Sequence, residues 1–161
     1  MPSTEEDTND FLFPLRGPWD SPAAWAEHLA VEGAPARWLA YTGSLTHALR
    51  ARCPESFHLR LHRRARLAAL PAEARQLGLA PAEGLLQREV WLECRGRAVV
   101  FARSWLPEDL LPDPGGYPLG DLLFDPGSDT ERLSLELAPV TGPDHGSHWA
   151  RRSVYRLGGG R

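Results

Sequence analysis

The sequence predicts an α+β fold, an antiparallel β-sheet with flanking helices. Three observations carry this. Short helical segments with clear start signals fill the first third of the chain. A long β-hairpin occupies the middle, and two further alternating apolar runs follow it. The hairpin spans Leu85 to Pro107, LLQREVWLECRGRAVVFARSWLP, two apolar runs joined at Arg95-Gly96. Side chains alternate across a strand, so Leu86, Arg88, Val90 and Leu92 share one face. Gln87, Glu89, Trp91 and Glu93 share the other. With a two-residue loop at Arg95-Gly96, Leu92 pairs with Val99, Val90 with Phe101, Arg88 with Arg103, and Leu86 with Trp105. One face is then apolar except for two arginines directly opposite each other. Like charges across a ladder destabilise it, and a buried cation without a partner is costly. An inward carboxylate from another strand answers this, as does a register slip that sends one arginine to solvent. A pocket for a small carboxylate answers it too, because a guanidinium fork suits bidentate capture.

The other elements follow in order. Residues 1–10 are acidic and polar and are expected to be disordered, leaving one domain over 11–161. Phe11-Leu12-Phe13 is a short anchor. Ser21-Pro22 starts a helix, with Ser as N-cap, that runs through Trp25 and Leu29 to Val31 and stops near Gly33. Pro35 opens a second helix ending at Gly43. Ser44 caps a third, Leu45 to Arg52, stopped by Pro54. Ser56 to Arg64 alternates as a half-solvated strand. His58 and His62 share its polar face, where solvent is a better reading than a zinc pair lacking a third ligand. Arg63, Arg64 and Arg66 form a local basic cluster, read as solvated surface. Pro71 to Gly78 is a short helix or crossover. After the hairpin, Glu108 to Leu111 forms a helical turn, Pro112 to Tyr117 a loop, and Pro118 to Phe124 a short helix or turn. Arg132 to Ala138 is a strand with Leu133, Leu135 and Leu137 inward. Pro139 to Ser147 is a loop, and His148 to Leu157 a last strand.

Composition excludes several classes. The 161 residues can bury roughly 70% of the unfolded surface, enough for a core. Hydrophobic content of 42% and charged content of 24% are ordinary for a globular protein. A net charge of −3 argues against nucleic acid. Cys53 and Cys94 give neither a disulfide framework nor a four-ligand zinc set. No signal peptide and no apolar run of membrane length is visible, so the expected location is cytoplasmic. No Gly-rich phosphate loop, G-x-S-x-G or HExxH is present. His145, Ser147 and His148 do not make a triad pattern.

Several pieces together resemble chorismate lyase. They are Gly43-Ser-Leu-Thr46 opening a helix, Arg88-Glu89 in the first hairpin strand and Ala102-Arg103 in the second. Pro118-Leu-Gly120 with Leu123-Phe124 follows, then Trp149-Ala-Arg-Arg-Ser153 with Arg156-Leu157. The ordered set covers roughly residues 38–157, and PLG-x-x-LF with W-x-RRS carries most of it. The resemblance implies an antiparallel sheet with flanking helices, a buried pocket under flaps, and no metal or organic cofactor. It implies a monomer that eliminates pyruvate from chorismate to give 4-hydroxybenzoate for ubiquinone synthesis. It matches Arg88 to the arginine that binds the ligand carboxylate and Arg103 to a second pocket arginine, the two catalytic positions. It matches Leu45 and Leu119 to ligand contacts, with Arg88 as the third. The family pattern continues after R-L-x-G into a strand whose glutamate meets the ligand hydroxyl, whereas this sequence stops at Gly160-Arg161. The sheet is therefore expected to lack that strand, and Glu89, pointing away from Arg88, does not replace its glutamate. The second reading is a non-catalytic aromatic-acid binding module or an inactive truncated copy.

Overall fold

The computed structural model describes residues 13–32, 36–39, 41, 43–67, 71–76, 85–107 and 130–156. Their elements are α1 (Pro22–Glu32), α2 (Ala36–Leu39), α3 (Leu45–Arg52), β1 (Phe57–Arg66), α4 (Ala72–Gln76), β2 (Leu85–Cys94), β3 (Arg97–Pro107), β4 (Glu131–Thr141) and β5 (Ser147–Arg156). All strand pairs are antiparallel, and the class is the α+β fold expected. The expected disorder of 1–10, the turns at 108–111 and 118–124, and Leu119 lie outside the described residues.

Two compact units divide the chain, one made of Met1–Thr42 with Asp129–Arg161, the other of Gly43–Ser128. In the first, β4 pairs with β5. The far edge of β4 is met by the segment before α1, which the sequence reading had not made part of a sheet. Leu15 bridges to Val140 and Asp20 to Leu137. Leu137 N–H donates to Asp20 O at 2.7 Å and Arg16 N–H to Pro139 O at 2.9 Å. This explains why β4 runs past Pro139 to Thr141. Proline lacks a donor, but its carbonyl still serves a neighbour. Ser21 caps α1, its Oγ accepting from Ala24 N–H at 3.2 Å. The buried residues Leu29, Leu39 and Leu137 form the core of this unit, with Trp25 and Trp149 packed against them. The two indoles meet edge to face at 5.3 Å. Leu133 departs from the expected inward row and is 48% exposed. A register shift between Arg132 and Ser134 turns it out of the ladder.

The W-x-RRS segment lies on β5, and both arginines work within this unit. Arg151 Nη1 donates to the carbonyls of Trp38 and Leu39 at 3.2 Å and of Tyr41 at 2.7 Å. These carbonyls lie in and just after the last turn of α2, where the helix dipole favours a cation. Burial, and then the Arg132 charge, hold the Arg151 guanidinium below its usual range. Arg152 donates through Nε to Glu136 at 3.0 Å and lies over the Trp19 ring at 4.4 Å.

The second unit holds the three-stranded sheet in the order β1-β2-β3. Ser44 caps α3 as expected, its Oγ accepting from His47 N–H at 3.1 Å. Cys53, the C-cap of α3, is joined to Cys94 at the end of β2 by a disulfide with a Cα separation of 5.9 Å. The sequence reading had found no disulfide framework. Two cysteines 41 residues apart carry no pairing signal in sequence, and only the chain path brings them together. Among the described residues no helix is long and apolar enough to cross a membrane.

Candidate active site

The register of the central hairpin decides the site. Arg95 and Gly96 form the expected two-residue loop, with φ of +54° and +77°, and Cys94 pairs with Arg97. Beyond it the ladder shifts by one residue between Leu92 and Glu93. Glu93 faces Ala98 while Leu92 faces Val100, so Val99 is the extra residue of a bulge and is 50% exposed. Every later pair differs from the expected one. Val90 meets Ala102, Glu89 meets Arg103, Arg88 meets Ser104 and Leu86 meets Leu106. The pairing of Arg88 with Arg103 is therefore corrected. The two residues lie on opposite faces of the sheet, because a one-residue slip moves the whole side-chain set across it.

On one face Arg103 pairs with Glu89. Its Nε and Nη2 donate to Glu89 Oε2 at 3.0 and 2.9 Å. Glu89 is wholly buried, and its Oε1 has no hydrogen-bond partner among the described residues. The flanking rows are polar and aromatic. Trp105 Nε1 donates to Gln87 Oε1 at 2.9 Å. Trp91 and Phe101 stack edge to face at 4.9 Å, and the His62 ring stands against both. The His62 ring thus sits against aromatic rings. The described residues contain no cluster of three metal-ligating side chains.

On the other face Arg88 is 2% exposed. A bulge in β1 between Leu61 and Arg63 brings Arg64 into register with it. Two arginines do oppose each other, but the partner of Arg88 is Arg64 on β1. Burial, and then the Arg64 charge, lower the Arg88 pKa from its usual value. Arg64, Arg88 and Ser104 make one row across the three strands. The row on one side is Leu61, Val90 and Ala102, and on the other Arg66, Leu86 and Leu106. Val90, Leu86 and Leu106 are buried. Two guanidiniums and a hydroxyl, bordered by apolar side chains and by Arg66, can hold a carboxylate with charge-assisted hydrogen bonds.

Leu45 is the first residue of α3 and is half-buried, and Thr46 beside it is buried. Among the described residues, two ties of α3 to the sheet lie at its other end. They are the Cys53–Cys94 disulfide and Arg50 over the Phe57 ring at 5.5 Å. The structure thus brings Arg88 together with Arg64 and Ser104, and Arg103 together with Glu89. Sequence reading took the basic run on β1 as solvated surface, and Arg63, Arg64 and Arg66 are exposed; what it lacked was the register that sets Arg64 opposite Arg88. The signal was an alternating strand ending in consecutive arginines, which puts one of Arg63 and Arg64 on each face whatever the register.

As a class, this is an α+β protein whose sheet carries a buried arginine suited to a small anion. The chorismate lyase family profile matches residues 20–160. A probable chorismate pyruvate-lyase of Marinobacter nauticus is 34% identical, over 85% of this chain and 81% of its own. Those of Methylobacillus flagellatus and an Azoarcus species are 32% and 38% identical, over 89% and 76% of this chain and 88% and 76% of theirs. No solved structure gives a significant match. The chain belongs to the chorismate lyase family, and by that membership it is a lyase.

Proposed function

We propose that this chain eliminates pyruvate from chorismate, leaving 4-hydroxybenzoate as a precursor for ubiquinone synthesis. The observation that carries the reading is the buried Arg88, flanked on its sheet face by the buried Leu86, Val90 and Leu106, in a chain whose relatives bear the name probable chorismate pyruvate-lyase. In the elimination the ether C–O bond to the ring breaks. The ring carbon bearing the hydroxyl loses its proton, and the ring becomes aromatic. The enolpyruvate leaves and takes up a proton to become pyruvate. Aromatisation supplies the driving force, so the protein needs to orient the substrate and stabilise developing charge.

Arg88 is assigned to the ring carboxylate that substrate and product share. Its burial supports this, because a charge-assisted bond gains strength where water is excluded. Leu45 and Leu119 are assigned to the apolar walls that keep water out. Arg103 belongs to the opposite face, where it braces Glu89 behind Arg88. It is a positioning residue in this reading, not a second hand on the same carboxylate.

The test is conversion of chorismate to 4-hydroxybenzoate, followed chromatographically. Wild-type protein is expected to form product well above the uncatalysed rate. Arg88→Ala is expected to lose about a hundredfold in affinity for 4-hydroxybenzoate, the scale of a buried charged hydrogen bond. Product formation at only the uncatalysed rate would refute the lyase reading. If the aromatic acid still raised the melting temperature, the chain would be a binding module. Unaltered 4-hydroxybenzoate affinity in Arg88→Ala would remove Arg88 from the site.

A further inference from the structure

We propose that Arg64 is a second substrate-binding residue, which selects a ligand with two carboxylates over one with a single carboxylate. The inference rests on the lyase reading and adds to it the residue that meets the enolpyruvyl carboxylate.

Arg64 and Arg88 are Cα partners on adjacent antiparallel strands, so their side chains leave the same face. Directly opposed residues stand with Cβ atoms about 4.5–5.5 Å apart. Like charges in that position cost stability, and here one of the two is buried. Glutamine at position 64 would keep the length and polarity without the repulsion. The arrangement becomes favourable when a dianion lies between the two, each guanidinium taking one carboxylate. Arg88 is buried, so it presents the less mobile end to the ligand. Arg64 is exposed and on the edge strand, so it can follow the more mobile end. The bulge after Leu61 contributes directly. Without that shift Arg63 would face Arg88, and Arg64 would stand on the other side of the sheet. Ser104, opposite Arg88 on β3, ends the row with a small hydroxyl side chain.

The depressed Arg88 pKa agrees with this geometry, since its second cause is the Arg64 charge. Arg63, one residue earlier, serves as the control. It has the same charge and exposure but pairs with Glu89 on the opposite face.

The experiment compares wild type, Arg64→Gln, Arg64→Lys and Arg63→Gln. It measures KM for chorismate, affinity for 4-hydroxybenzoate, and the salt dependence of both. Arg64→Gln is expected to raise KM for chorismate about tenfold, as loss of one charged hydrogen bond should. Its 4-hydroxybenzoate affinity should stay within about twofold, because that ligand has one carboxylate and Arg88 holds it. Salt should raise the wild-type KM for chorismate, and this dependence should flatten in Arg64→Gln. Arg64→Lys should recover part of the loss, and Arg63→Gln should match wild type. The unliganded Arg64→Gln protein should melt about 2–4 °C higher than wild type, having lost the repulsion. A wild-type KM in Arg64→Gln overturns the assignment. So does an equal loss of chorismate and 4-hydroxybenzoate binding, which would mean general damage to the site. Failure of wild type itself to convert chorismate or bind 4-hydroxybenzoate would instead defeat the lyase reading, and this inference with it.

Discussion

Glu89 holds an arginine with one oxygen and buries the other without a donor among the described residues. A buried carboxylate is tolerable because Arg103 supplies two charge-assisted bonds to Oε2. Removing the charge on one side leaves the other uncompensated in a poorly solvated place. Glu89→Gln is therefore expected to destabilise the protein by about 3 kcal/mol, read from chemical denaturation. A change near zero would mean that Arg103 finds another acceptor at no cost. Arg88 behaves differently. Its register partner is a like charge, Arg64, and not a carboxylate. The distinction between these two buried ions was not legible in the sequence. Arginine looks the same in both roles, and the opposing residue decides which role it plays.

At the scale of the element, the hairpin shows what local sequence can specify. Its limits, its loop and the alternation of its faces follow from apolar periodicity and turn chemistry. The bulge at Val99 does not. An extra residue leaves the pattern of each strand locally intact and changes only which partner each residue meets, so two-body information is needed to see it. The same is true of the shifts at His62 and Leu133. The loop itself carries a testable misfit. Arg95 adopts φ +54°, where a side chain with a Cβ is strained and asparagine is tolerated best after glycine. Arg95→Asn would produce the Asn-Gly pair that type I′ turns prefer. It should stabilise the protein by about 0.5–1 kcal/mol, visible as a rise in melting temperature of about 2–4 °C. An unchanged or lower melting temperature would show that the Arg95 side chain offsets its backbone strain. The W-x-RRS segment teaches a related lesson. Its arginines helped carry the resemblance, and in the structure Arg151 closes the end of α2 and Arg152 pairs with Glu136 across the β4–β5 ladder.

At the scale of the whole molecule, the Cys53–Cys94 disulfide ties the end of α3 to the end of β2 across 41 residues of sequence. Closing a loop of that length restricts the unfolded chain and is worth about 3–4 kcal/mol on the chain-entropy account. A dithiol reductant is expected to lower the melting temperature by about 10 °C, and Cys53→Ser with Cys94→Ser to reproduce the fall without reductant. Equal melting temperatures with and without reductant would refute a stabilising role. By itself the sequence determined the α+β class, the order of the described helices and strands, the caps at Ser21 and Ser44, the Arg95-Gly96 loop and the family. Each of these depends on neighbours a few residues apart, or on an ordered set of short motifs. Only the tertiary structure decided that Arg88 faces Arg64, that Arg103 braces Glu89 on the reverse of the sheet, that Cys53 meets Cys94, and that the segment before α1 runs along β4. Those facts depend on register and chain path. A single-residue bulge or a loop of 41 residues sets them, and neither leaves a periodic trace in the sequence.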